Sequence, residues 1–269
     1  MHFLLDVLTL GSRHWILLRR LTRREFEARY RGSILGLAWS VITPVAMMVM
    51  YTFVFHYVLE SRWPGHKADD QFGYALNLLA GLTVFNVAAE CLSRAPRLIL
   101  ENPSYVKKMI FPVEILPLVA LLGALTSAMI NGSVLLVFQL CLTGLPPWTI
   151  LLLPLLTLPF LFLCLGATYL LAALGVFLRD IGQFTGTLVL ILMFLSPVFY
   201  ATEVIPMPWR TWLEANPMAA TIGWVRGALF AGSLPAPGAY GIQFLVNLSV
   251  LILGYRVFMA LRPGFADVV

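Results

Sequence analysis

The sequence predicts an all-α polytopic membrane protein with six transmembrane helices. Three observations carry this. The 269 residues are 60% hydrophobic and only 12% charged, against about 25% charged in an ordinary soluble domain. Six apolar runs are long enough to cross a bilayer, which takes about 20 residues. Finally, the basic residues gather in alternate connections, as insertion into a membrane requires.

Residues 1–32 read as a cytoplasmic interface segment, 33–261 as the six-span region, and 262–269 as a cytoplasmic tail, all one transmembrane domain. The start, "MHFLLDVLTLG", has no basic n-region and no small-residue cleavage site, so the N-terminus is expected to be kept. Seven arginines then fall between Arg13 and Arg31. On a helical wheel Trp15, Leu18, Thr22, Phe26 and Tyr30 share one face. Arg20, Arg24, Glu27 and Arg31 share the other, and Arg19 and Arg29 flank the apolar stripe. This predicts an amphipathic helix in the cytoplasmic interface, its arginines among anionic headgroups. "RGSILG" follows. Its Gly32 and Ser33, with Gly36 just beyond, turn the chain from lying on the membrane to crossing it.

The spans are expected at 34–59, 72–89, 113–140, 148–178, 184–200 and 240–261. Pro154 and Pro159 predict a kink in the fourth. Between spans 2 and 3, "RAPRLILEN" reads as a short helix stopped by Asn102 and Pro103. "SYVKKMI" reads as a second one, capped by Ser104. Two such helices suit docking to another protein, or form a structured loop without a partner. Glu114, at the start of span 3, needs a counter-ion; Lys107 and Lys108 lie at its depth. Arg179 and Asp180 close span 4. Between spans 5 and 6, a semi-hydrophobic stretch with Trp209, Trp212 and Trp224 is too short in its pieces to span. It predicts re-entrant or interfacial helices on the outer side.

Fourteen lysines and arginines lie on one side of this layout and four on the other (Arg62, Lys67, Arg210, Arg226). Both termini are therefore expected in the cytoplasm. The net charge of +5 does not imply nucleic acid, because the basic residues sit beside apolar runs. No Gly-Lys pair occurs, so the chain has no Walker loop. The four histidines have no metal-ligand spacing. Cys91, Cys141 and Cys164 read as small buried hydrophobes. The spans lack a chain of acidic groups for a proton relay. Energy for work would arrive through a partner.

Three separated stretches, "RYRGSILGLAWSVITPVAMMVMYTFVF", "ENPSYVKKMIFPVEILPLV" and "FLRDIGQF…LMFLSPVFYATEVIP…NPM", resemble in order the membrane permeases of bacterial ABC-type polysaccharide exporters. The resemblance covers nearly the whole chain. It implies a homodimer in the bacterial inner membrane, served by two copies of a separate ABC ATPase that holds ATP and Mg; no cofactor is expected in this chain. It also implies that membrane lipids surround the dimer and that the substrate is an undecaprenyl-pyrophosphate-linked polysaccharide, O-antigen foremost. Capsule, teichoic acid or another lipid or drug are the alternatives. By the resemblance, the loop Gly32, Ser33, Leu35 and Gly36 lies at substrate entry, where Arg29 and Arg31 can attract a pyrophosphate. Arg94, Arg97, Glu101, Asn102, Tyr105, Lys107 and Lys108 belong to the segment that couples to the ATPase. The stretch between spans 5 and 6 forms an outer gate. Sugars stack on aromatic rings, which makes Trp39, Tyr51, Phe53, Phe194, Phe199 and Tyr200 candidates for the channel lining. A second class, an integral-membrane enzyme acting on polyprenyl-linked substrates, would need a catalytic acid, base or metal site, and the sequence shows none.

Overall fold

The computed structural model describes residues 13–59, 63–64, 72–106 and 111–268; Lys107 and Lys108 lie outside the described residues. The described residues form helices and turns with no strand. Helix α1 covers Trp15–Arg29. A 3-10 turn at Gly36–Ala38 leads into α2 (Trp39–Thr52), which a wider turn extends through Phe53–Val58. Then come α3 (Gly73–Arg94), the short α4 (Pro103–Val106) and α5 (Ile115–Leu142). The turn Trp148–Leu152 opens α6 (Leu153–Phe177), and α7 covers Ile181–Leu195. Two short helices, α8 (Trp209–Glu214) and α9 (Pro217–Arg226), precede α10 (Pro237–Leu261) and α11 (Phe265–Val268).

Five of these segments are long and apolar enough to cross a membrane, and α7 is a shorter apolar helix. Helix α3 is the central one; most of its apolar window is buried, whereas little of that of α2 is. Span 5 is shorter than its apolar run, and the cause is local. Pro197 drives Ser196 into extended backbone (φ −113, ψ 145). The helix stops at Leu195 with 15 residues, about 22 Å at ~1.5 Å per residue. Phe199 and Tyr200 therefore lie past its end. Pro154 does not kink span 4. It occupies the first turn of α6, where its missing N–H is harmless, and only Pro159 lies inside.

Helices α6 and α10 pack at backbone distance through Gly166 and Gly254. A Cβ on Gly254 would stand 2.0 Å from the Gly166 carbonyl oxygen. Small residues allow such an approach between membrane helices. Below this contact, Tyr169 packs edge-on against Tyr255 and Phe258, with ring centroids 5.1 and 5.3 Å away. Its hydroxyl donates to the Glu114 carbonyl oxygen at 2.8 Å. The Glu114 carboxylate finds its counter-ion in Arg262, 3.1 Å away at the end of α10. The expected partners, Lys107 and Lys108, are not described. Cys91 and Cys164 are buried as expected, but Cys141, at the end of α5, is exposed.

Helix α1 lies against α5, but rotated from the expected face. Trp15 is 58% exposed, while Leu18 is buried against Ile115 and Val119. Thr22, Glu25 and Arg29 continue the Leu18 stripe at helical spacing. The polar half of that stripe fits because α5 offers Gly123 and Ser127 there. The turn expected in "RGSILG" is present, and two of its residues are left-handed: Gly32 (φ 84) and Gly36 (φ 50). A Cβ at either would meet nothing within 4 Å, so only the backbone penalty applies. Gly32→Ala and Gly36→Ala are each expected to destabilise by about 1–2 kcal/mol. Gly238→Ala, equally uncrowded but in the first turn of α10, should be neutral or better. Thermal unfolding in detergent checks the contrast.

Candidate functional site

Helices α2, α3 and α5 line a half-open cavity of about 370 Å³. Trp39, Thr43 and Tyr51 enter it from α2, Thr83 and Asn86 from α3, Ser127 and Asn131 from α5; Tyr30 closes the α1 end. Some of these polar groups are already satisfied. Ser40 donates to the Leu37 carbonyl (2.7 Å) and Thr83 to that of Leu79 (2.8 Å). The amides of Asn86 and Asn131 have no hydrogen-bond partner among the described residues. An unpaired amide inside a membrane span is costly unless it faces water or a polar ligand. Two such amides and an aromatic wall suit a ligand that is polar at its edges and apolar on its faces.

A compact charge cluster sits at the α1 end of this cavity. Arg29 pairs with Glu90 and donates to the Ser127 hydroxyl at 3.0 Å. Arg94 pairs with Glu25 and stands 3.5 Å from Glu90. Burial pushes the Glu25 carboxyl up from its ordinary value, against the opposing pull of Arg94. The two cations and two anions balance, and they rest on Gly123: a Cβ there would come within 3.3 Å of Arg29 and 3.5 Å of Glu25. Of the expected entry residues, Arg29 is thus already engaged, whereas Arg31, Gly32, Ser33 and Leu35 are exposed at the mouth. Gly36 is partly covered.

Past Arg94 the chain makes a 3-10 turn, Ala95–Arg97. That turn is seated on span 4, where a Cβ at Gly175 would stand 2.4 Å from the Pro96 carbonyl. Arg97 and Glu101 are exposed, and the Asn102 amide bonds back to the Leu98 carbonyl at 2.9 Å. The next helix begins at Pro103, one residue before the expected cap Ser104, because proline suits the first helical position. Tyr105 stacks on Phe111 and lies 5.8 Å from the Arg24 guanidinium. Interface helix and connecting segment are therefore in contact. Arg179 and Asp180 are exposed in the turn between α6 and α7, and neither forms an ion pair among the described residues.

The aromatic candidates separate into groups. Trp39 and Tyr51 line the cavity. Tyr51 continues into Phe55 (6.4 Å), which stacks on Tyr74 (4.6 Å), and Tyr74 meets Trp63 edge-on (5.3 Å). The Tyr74 hydroxyl donates to the Phe199 carbonyl. Phe194, Phe199 and Tyr200 cluster at the end of α7: the first two rings are 6.3 Å apart, and the Tyr200 hydroxyl bonds the Phe194 carbonyl. Phe53 stands apart, 59% exposed in the wider turn after α2, beside Tyr57.

The ladder ends at Arg226, which is buried and forms no ion pair among the described residues. Its Nε donates to the Asn77 carbonyl (2.9 Å), Nη1 to that of Pro197 (2.6 Å) and Nη2 to that of Val198 (2.8 Å). Trp63 covers the guanidinium at 4.4 Å. Pro197 breaks α7 and leaves its own carbonyl and that of Val198 outside the helix; Arg226 supplies donors to both and ties them to the Asn77 carbonyl on α3. The expected short helices between spans 5 and 6 are present as α8 and α9, pinned to span 2 by this residue. Asn216 caps α9 by accepting from the Met218 N–H (3.0 Å) and reaches back to Ser196 (3.2 Å).

Sequence reasoning missed Glu25, Glu90, Asn86, Asn131, Phe55 and Tyr74. Polar residues in or at the edge of apolar runs were the available signal for three of them, Asn86, Glu90 and Asn131.

The sequence is similar to named permeases over nearly its whole length. The O-antigen export system permease protein RfbA of Klebsiella pneumoniae is 24% identical over 253 residues, covering 92% of this chain and 93% of its own. The protein of the same name from Myxococcus xanthus is 26% identical over 255 residues, covering 93% and 94%. Members of the family that these relatives share with the chain are transport permeases that work with a separate ABC ATPase subunit. The family model described as ABC-2 type transporter matches residues 16–230, and the chain belongs to that family.

Proposed function

We propose that this chain is the transmembrane half of an ATP-driven exporter. It moves undecaprenyl-pyrophosphate-linked polysaccharide of the O-antigen kind from the cytoplasm across the bacterial inner membrane. The observation that carries the reading is the cavity between α2, α3 and α5. It joins two unpartnered amides to aromatic rings within membrane spans, in a chain that aligns over nine-tenths of its length with O-antigen permeases. Sugar hydroxyls match Asn86 and Asn131, and sugar faces match Trp39 and Tyr51.

The remaining parts follow the chain. Both termini are cytoplasmic, by the distribution of arginines and lysines. The carrier headgroup enters at Arg29, Arg31 and the hinge Gly32–Gly36. The segment from Arg94 through Lys108 receives the ATPase, which holds ATP and Mg. Two copies of the chain and two of the ATPase form the complex. Support for the homodimer comes from the broad exposed apolar faces of α2 and α7, including Val41, Met50, Leu190 and Ile191. The hairpin α8–α9 closes the outer end.

Export in a permease-deletion strain tests the cavity. Trp39→Ala and Asn131→Leu are each expected to lower surface polymer roughly tenfold, the equivalent of one lost contact of about 1.4 kcal/mol. ATPase assembly should be retained. Normal export by both variants would contradict the assignment.

A further inference from the structure

This inference rests on the proposed export function and concerns the charge of the exported polymer. Among the described residues, the cavity lining contains no Asp, Glu, Lys, Arg or His. Its unengaged polar groups are the amides of Asn86 and Asn131 and the hydroxyls of Tyr30, Thr43 and Tyr51, all uncharged. The cations of the adjacent cluster are occupied. Arg29 is held by Glu90 and Ser127, and Arg94 by Glu25 and Glu90. Farther along, Arg226 is consumed by three backbone carbonyls, and Arg262 by Glu114. Arg256 lies on α10, outside the cavity lining.

A polyanion would carry a charge in every repeat through this region. Each charge would need a counter-charge or would have to strip one from Glu90, Glu25 or the carbonyl cage. A chain of neutral sugars makes no such demand. It needs donors and acceptors at its rim and rings against its faces, which the cavity offers. Arg31, exposed at the mouth, is suited to the anionic carrier end of the molecule, which arrives once per chain and not once per repeat.

We infer that the cavity between α2, α3 and α5 selects an uncharged polysaccharide and disfavours polymers with a uronate or phosphate in each repeat. Asn86 and Asn131 are the residues that determine this specificity.

The test uses two permease-deletion hosts with the same polyprenyl-diphosphate carrier. One makes a neutral homopolysaccharide, the other a polymer with one uronate per repeat. Each receives this chain with its own ATPase, and surface polymer is read by flow cytometry. The neutral polymer should appear, with the acidic one lower by roughly tenfold or more. Asn131→Lys should narrow that ratio several-fold by raising export of the acidic polymer. Equal export of both polymers by the wild type overturns the inference and leaves the export function standing; so does a ratio unchanged by Asn131→Lys. Export of neither, from an assembled complex that hydrolyses ATP, overturns the export reading and the inference with it.

Discussion

Gly254→Leu is expected to abolish the folded protein. A Cβ at that position would lie 2.0 Å from the Gly166 oxygen and 2.8 Å from its carbonyl carbon. Both are backbone atoms, so no rotamer change relieves the clash. The reciprocal position is as tight, since a Cβ on Gly166 would stand 2.6 Å from the Leu251 Cα. Helices α6 and α10 would have to separate, and the Tyr169–Tyr255–Phe258 aromatic contacts below them would open. Overpacking alone costs about 1–3 kcal/mol, and aromatic pairs add about 0.5–1.5 kcal/mol each. Loss of the monodisperse peak in detergent size-exclusion chromatography is the expected readout. Leu253→Ala, on an exposed position of the same helix, should elute normally. A monodisperse Gly254→Leu protein would show that the two helices do not meet at this contact.

Arg226→Met carries the second large effect. It preserves much of the stem but takes a donor from the Asn77 carbonyl and leaves the carbonyls of Pro197 and Val198, past the end of α7, without the guanidinium in a buried region. At about 1–3 kcal/mol for each orphaned group, the expected loss is several kcal/mol, read as a lower unfolding temperature. Arg226→Lys should recover only part of it, because an ammonium cannot fork to three carbonyls as a guanidinium does. Gly81→Ala attacks the same cage from outside: its Cβ would lie 2.6 Å from the Arg226 Nη2. Wild-type unfolding temperatures for Arg226→Met and Gly81→Ala would contradict the assigned role.

The spans were legible because bilayer thickness imposes a one-dimensional rule on apolar length. The hinge was legible for a similar reason, since left-handed backbone selects glycine. The end of α7 was less so: the apolar run continues to Tyr200, but Pro197 decides where the helix stops. The charge cluster joins residues distant in the chain, such as Arg29 and Glu90, and no spacing rule pairs them. Helical periodicity set Arg29 at the flank of an apolar stripe, whereas Gly123 on α5 made room for it on the packed face. Arg226 shows the limit of counting charges. It added to the outer total, yet it is buried and serves as a set of hydrogen-bond donors.

The central claim is that this chain, driven by a separate ATPase, conducts a lipid-linked polysaccharide past Asn86 and Asn131. Vesicles containing the chain, its ATPase and a polyprenyl-diphosphate-linked neutral polysaccharide test it most directly, with transfer across the bilayer followed on adding ATP. The account predicts ATP-dependent transfer. It also predicts that a variant carrying both Asn86→Leu and Asn131→Leu loses most of that transfer while still binding the ATPase and hydrolysing ATP. Transfer without the ATPase, or undiminished transfer by the double variant, would contradict it.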